Sequence, residues 1–169
     1  LVWLVSCAGT FAVAQEDSAA RWAANARELN WQRQWAVEAT ASSSYSETGG
    51  WSVSQVLGHP DTTGYGDIGT AWAPHVKDGG IEWLELTYTW PMIPDSVQVV
   101  QSCGAGALKR VQLQPLGSAE WVTIEERQPQ AEEMTLTTPL ISSIDASRFG
   151  LPTRRVRVEV DTAVPGWNE

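Results

Sequence analysis

The sequence predicts an all-β chain folded as an antiparallel sandwich of two sheets. Three observations carry the prediction. From Ala36 to Val160, short runs that alternate apolar with polar residues are separated by turn residues. The clearest run is Arg155 to Val160, where Val156, Val158 and Val160 point one way and Arg155, Arg157 and Glu159 the other. A length of 169 residues with 43% apolar and 18% charged residues suits one packed domain with a short leading segment.

Residues 1–14 carry no charge and are mostly apolar, yet the run is shorter than the roughly 20 residues that span a bilayer. Ala12-Val13-Ala14 gives the small-x-small pattern of a signal peptidase site, ahead of the polar Gln15-Glu16-Asp17-Ser18. The stretch reads as a truncated secretory signal segment, with a buried apolar strand as the alternative. Export to the cell surface, periplasm or medium of a bacterial-type cell follows from the first reading. Leu4-Val5-Ser6-Cys7 also resembles a lipoprotein signal in which Cys7 is acylated. The apolar run Ala8 to Ala14 replaces the usual polar tether, which favours simple export over a lipid anchor. Cys103 then has no cysteine to pair with inside the mature domain, so disulfides do not hold the fold.

Residues 15–34 are expected to form a helical linker. Trp22, Ala26 and Leu29 follow i, i+4, i+7 spacing, Trp31 and Trp35 follow i, i+4, and Glu16 and Asp17 suit the positive end of a helix dipole. The sandwich occupies residues 35–169. Its expected strands are Ala36 to Ser43, Ile81 to Trp90 with Leu84, Leu86 and Tyr88 on one face, Ser96 to Ser102, Ala107 to Leu113, Trp121 to Glu125, Met134 to Thr138, and Arg155 to Val160. Gly49 to Gly80 is a long irregular tract rich in glycine. Loops beyond about 12–15 residues in a compact domain are usually functional or carry an ion, so the tract is the place to seek a site.

Composition narrows the function. A net charge of −9 excludes a nucleic-acid backbone binder, which needs clustered Lys and Arg. Catalysis is disfavoured: the two histidines, His59 and His75, lack metal-ligand spacing, no GxSxG elbow occurs, and Cys103 has no basic neighbour before Lys109. The adjacent pairs Glu125-Glu126 and Glu132-Glu133 read as a solvated acidic face. The ten tryptophans stand out. Trp72, Trp83 and Trp121 are expected in the core, and Trp51 could serve either packing or binding.

Separated motifs keep a familiar order: Ala39-Thr40-Ala41-Ser42-Ser43, Trp51, Ser54-Gln55-Val56-Leu57-Gly58, Tyr65-Gly66-Asp67 to Trp72-Ala73-Pro74, Gly80-Ile81-Glu82-Trp83-Leu84-Glu85-Leu86, and Val164-Pro165-Gly166-Trp167-Asn168-Glu169. Over Trp35 to Glu169 the chain resembles the discoidin (coagulation-factor type C) domains and the galactose-binding-like jelly rolls that serve as carbohydrate-binding modules, closest to a subgroup in bacterial secreted proteins and an F-box leucine-rich-repeat protein. In the family a final apolar strand follows the position of Glu169, so that strand is expected to be truncated here. Gln101-Ser102-Cys103-Gly104-Ala105-Gly106 replaces a more aromatic turn.

The resemblance implies a non-catalytic recognition module that binds a carbohydrate or cell-surface glycan through loops at one end of the sandwich. Those loops correspond to Tyr45 to Trp51 and Ala73 to Gly80, which makes Tyr45, Trp51, His75, Lys77 and Asp78 the candidate contacts. The alternatives are a structural or protein-adhesion domain, or an accessory domain of an enzyme beyond this stretch. The family also implies a structural calcium, with Asp61, Asp67, Thr70 and Glu169 as candidate ligands; oxygen-rich, irregular chain is what a hard cation requires. Membrane insertion by loop tips is disfavoured, since the loops carry Glu47 and Asp78 against a single Lys77.

Overall fold

The computed structural model describes residues 2–6, 33–131 and 136–169. Its strands are β1 (Val2–Ser6), β2 (Arg33–Gln34), β3 (Ala36–Ala41), β4 (Ile81–Met92), β5 (Ser96–Gln101), β6 (Leu108–Pro115), β7 (Val122–Glu126), β8 (Leu140–Asp145) and β9 (Thr153–Asp161), with one 3-10 turn at Val53–Val56. A four-stranded sheet runs β2-β1-β5-β8 and a five-stranded sheet runs β3-β4-β9-β6-β7. Every neighbouring pair is antiparallel. The chain is a β-sandwich, as its alternating runs require.

Pleating explains the core. Side chains of a strand point alternately to opposite faces, so Leu84, Leu86 and Tyr88 of β4, Val156, Val158 and Val160 of β9, and Val111 and Leu113 of β6 form one buried layer. Val97 and Val99 of β5 and Ile144 of β8 meet them from the other sheet. Each such side chain removed from water contributes about 1.5–3 kcal/mol. Gln34, itself buried, stitches the sheets together: its side-chain amide accepts from Trp90 N (3.0 Å) and donates to Trp90 O (3.1 Å). One flaw is built in. The Tyr88 hydroxyl is buried with no hydrogen-bond partner among the described residues, and burial raises its pKa far above the ordinary phenol value.

The outer face of the five-stranded sheet corrects two expectations. Trp83 and Trp121 are half-buried there, not in the core. The Arg157 guanidinium lies 4.9 Å from the centre of the Trp83 ring, and that of Arg155 lies 5.1 Å from the centre of Trp121. Register makes this possible, because Glu85, Arg157, Gln112 and Thr123 stand opposite one another across β4, β9, β6 and β7. Glu85 pairs with both arginines, and Glu159 pairs with Arg157 and Arg110. The physical reason is alternation: Trp83 precedes the inward Leu84 and so shares the outward face with Glu85. Trp72, by contrast, is fully buried, as expected.

Other expectations meet the structure as follows. Most of the expected helix over Asp17 to Gln34 lies outside the described residues, and its last two residues form β2. The expected strand Met134 to Thr138 lies partly outside them, and residues 136–138 form no strand; the strand of this region is β8, from Leu140. Val2–Ser6 forms a strand between β2 and β5. Cys7 lies outside the described residues.

Candidate functional site

Between β3 and β4 the chain runs irregularly from Ser42 to Gly80, yet specific contacts fix its path. The buried Trp72 indole donates to Ser43 O (2.9 Å), which pins the tract to the core. Tyr45 N donates to Ala73 O (2.9 Å), and Trp51 and Trp72 form a short parallel bridge. Trp51 N bonds Gly69 O (3.2 Å) while Trp51 O accepts from Ala73 N (3.3 Å). These bonds hold Trp51 at φ 59°, a left-handed conformation that costs a bulky residue about 1–3 kcal/mol. The close approach needs Gly50, where a Cβ would lie 3.2 Å from Gly69 O.

Two distant segments complete the same end. Glu169 N donates to Cys103 O (2.9 Å) and Ser102 N to Glu169 O (2.8 Å), so the 101–106 turn grips the 167–169 segment. Gly104, at φ +56°, is required there: a Cβ would collide with the Trp167 carbonyl and the Asn168 amide. Gly66 N donates to Ser102 O (2.6 Å), the Tyr65 hydroxyl accepts from Ala105 N (3.0 Å), and Asp78 Oδ1 accepts from Gly166 N (2.8 Å).

The segments enclose a pocket of about 120 Å³ lined by Tyr45, Trp51, Asp67, Ala73, Trp167 and Glu169. Tyr45 meets Trp51 edge-on at 5.9 Å and Trp167 edge-on at 5.4 Å between ring centres. Two carboxylates complete the lining. Asp67 Oδ1 accepts from Trp51 Nε1 (2.8 Å), and Glu169 Oε2 accepts from Ile68 N (3.2 Å). Glu169 is 1% exposed, and its Oε1 finds no donor among the described residues. Asp67 beside it is also an acceptor unless one of the two is protonated. Burial pushes the Glu169 pKa up to about 7; the Ile68 N–H opposes this, and the charge of Asp67 and a hydrogen bond to its side chain add to it. Burial likewise raises the Cys103 thiol, helped by Glu169 and Asp67, which keeps it from acting as a ready nucleophile.

Of the residues singled out from sequence, Tyr45 and Trp51 line this pocket together. Asp78 serves the scaffold through Gly166. His75 and Lys77 are exposed on the adjoining loop, with His75 N donating to Ser43 Oγ (3.1 Å). Among the calcium candidates, Asp67 and Glu169 come together, Thr70 Oγ1 hydrogen-bonds Thr62 Oγ1 (2.6 Å), and Asp61 is exposed. Among the described residues no group of three or more His, Cys, Asp or Glu side chains assembles a metal site. A cation at the base would therefore rely on Asp67 and Glu169 with backbone carbonyls. Sequence reasoning missed Trp167 as a wall of the pocket. The Pro165-Gly166 turn pair before Trp167 was the signal available in the sequence, and Gly166 adopts φ +107° there.

Residues 24–164 match the family described as "Pappalysin-1, SD scarf domain, C-terminal". The chain belongs to that family. The scarf domain also resembles the crystal structure of chitosan-binding module 1, derived from a chitosanase/glucanase of Paenibacillus sp. IK-5. The TM-score is 0.53 at 18% identity, over 78% of this chain and 86% of that one. Both findings fit a galactose-binding-like β domain, and neither carries the discoidin name. No curated protein matches the scarf domain.

Proposed function

We propose that this scarf domain is a non-catalytic extracellular recognition module that binds carbohydrate in the pocket walled by Tyr45, Trp51 and Trp167. The observation that carries the reading is Trp51: backbone strain is spent to hold an indole at the pocket wall, its N–H tied to Asp67. Strain of that kind gathers at ligand sites. Aromatic faces stack on the C–H faces of sugars while nearby polar groups fix hydroxyls. The chitosan-binding title of the structural neighbour supports the same class of ligand. At about 120 Å³ the pocket is smaller than a typical drug-sized site, so it grips the edge of one sugar unit and leaves the rest of a chain outside.

A glycan array with Trp51→Ala and Trp167→Ala tests this. Glycan binding that either substitution removes, with the melting temperature retained, supports it; no glycan bound at millimolar ligand sinks it in favour of a protein-adhesion role. The unpartnered Glu169 Oε1 favours a second reading of the pocket base, a calcium held by Asp67 and Glu169. On that reading EDTA lowers the melting temperature, because a ligand at a hundredfold excess over Kd stabilises the fold by about 2.7 kcal/mol. An unchanged melting curve counts against it.

A further inference from the structure

We propose that the base of this pocket selects a protonated amine, so that the sugar unit it takes is a free amino sugar rather than a neutral or N-acetylated one. The inference rests on the carbohydrate reading and goes beyond it by assigning the charge of the ligand. The charged inventory is one-sided. Asp67 and Glu169 contribute only acceptors when ionised. Trp51 Nε1–H is used on Asp67 and Ile68 N–H on Glu169 Oε2, while Tyr45 and Trp167 bring a neutral hydroxyl and an indole N–H to the walls. Among the described residues no Lys, Arg or His lines the cavity. What remains is a buried carboxyl oxygen, Glu169 Oε1, with no donor among the described residues, in a side chain close enough to Asp67 that the two either share a proton or take a cation, beside three aromatic rings.

Each ligand class meets this differently. A hydroxyl donates one hydrogen bond and brings no positive charge to the two carboxyl groups. An N-acetyl group offers one amide N–H but no charge and adds a carbonyl acceptor and a methyl, and a uronic acid adds a further negative charge. An ammonium brings three donors and a positive charge, makes charge-assisted bonds to both carboxylates, and is attracted by the ring faces. The need for a cation is shared with the calcium reading, and the two sources are separable because a metal ion does not distinguish one sugar from another.

The test is calorimetric titration of the full chain with glucosamine tetramer, N-acetylglucosamine tetramer and cellotetraose, in EDTA and again in millimolar calcium. The glucosamine tetramer is expected to bind about tenfold or more tighter than the other two. Asp67→Asn and Glu169→Gln are each expected to shrink that preference to within about threefold, while Trp51→Ala weakens all three ligands together. Asp67 is exposed, so Asp67→Asn decides the matter if Glu169→Gln does not fold. Equal binding of the acetylated or neutral tetramer, or a preference unmoved by both carboxylate substitutions, overturns the amine and leaves the carbohydrate reading standing if Trp51→Ala still abolishes binding. Calcium that erases the preference also overturns it, since the metal then owns the carboxylates. No binding of any tetramer overturns both.

Discussion

Two regions of the molecule set indole rings beside carboxylates, and they do so to opposite effect. On the outer face of the five-stranded sheet the cation is built in: Arg157 covers Trp83 and Arg155 covers Trp121, and Glu85 and Glu159 neutralise them. At the end of the sandwich Tyr45, Trp51 and Trp167 stand around Asp67 and Glu169 with no basic side chain lining the pocket among the described residues. The first arrangement is closed upon itself and stiffens a sheet. The second keeps an unmet valence. Aromatic rings and acids together therefore do not distinguish the proposed site; what sets it apart is the missing partner.

That contrast can be broken at several points. The largest expected effect is Gly104→Ala, which forces a side chain into the left-handed region and into the Trp167 carbonyl. A loss of about 2–4 kcal/mol is expected, read as a drop in melting temperature together with loss of glycan binding. Retained binding would show that the 101–106 turn does not shape the pocket. Next comes pH. The folded pKa of Glu169, about 7, lies above its ordinary value of 4.5, so the folded state holds a proton that the unfolded state has released. Stability from this group is intact below about pH 4.5 and falls as pH rises towards 7, by about 3 kcal/mol in the absence of a bound cation. Chemical denaturation at pH 5 and pH 8 measures it, and Glu169→Gln is expected to flatten that difference. A ligand carrying the cation is expected to flatten it too.

The closed region should answer more mildly. Arg157→Ala uncovers Trp83 and frees two carboxylates on a partly solvated face, an expected loss of about 1 kcal/mol with glycan affinity unchanged. A loss of binding would show that the two regions communicate. Smallest of all, Tyr88→Phe removes a buried hydroxyl that has no partner. It is expected to leave the melting temperature unchanged or raise it by an amount equivalent to about 1 kcal/mol; a marked drop would reveal a hydrogen bond to a buried water.

The sheets were largely legible because alternation is local. Val156, Val158 and Val160 announce both their strand and their inward face. The same rule would have placed Trp83 outside, since it is out of phase with Leu84, Leu86 and Tyr88; its size drew it into the expected core. Strand β8 escaped notice because its pattern is inverted: Ser142 is buried while Ile141 is 61% exposed. Helical spacing before Trp35 ends in β2, where pairing with β1 at Arg33 and Gln34 overrides local preference. The irregular tract Gly49 to Gly80 stood out as the place for a site because of its length and glycine content, whereas Tyr45, which precedes it, and Trp51 as contacts came from the family resemblance. That Glu169 reaches Ile68, a hundred and one positions away, or that Trp167 meets Tyr45, depends on where the sandwich brings distant loops, and no spacing in the sequence encodes that.

The left-handed turn at Trp51 has an evolutionary consequence. Glycine, and to a lesser degree asparagine, would occupy that backbone with little strain, so selection for folding alone pulls the position away from tryptophan. In lineages where the pocket falls out of use, glycine or asparagine should accumulate there first, and the state of this single position would serve as a natural record of which descendants still hold a ligand.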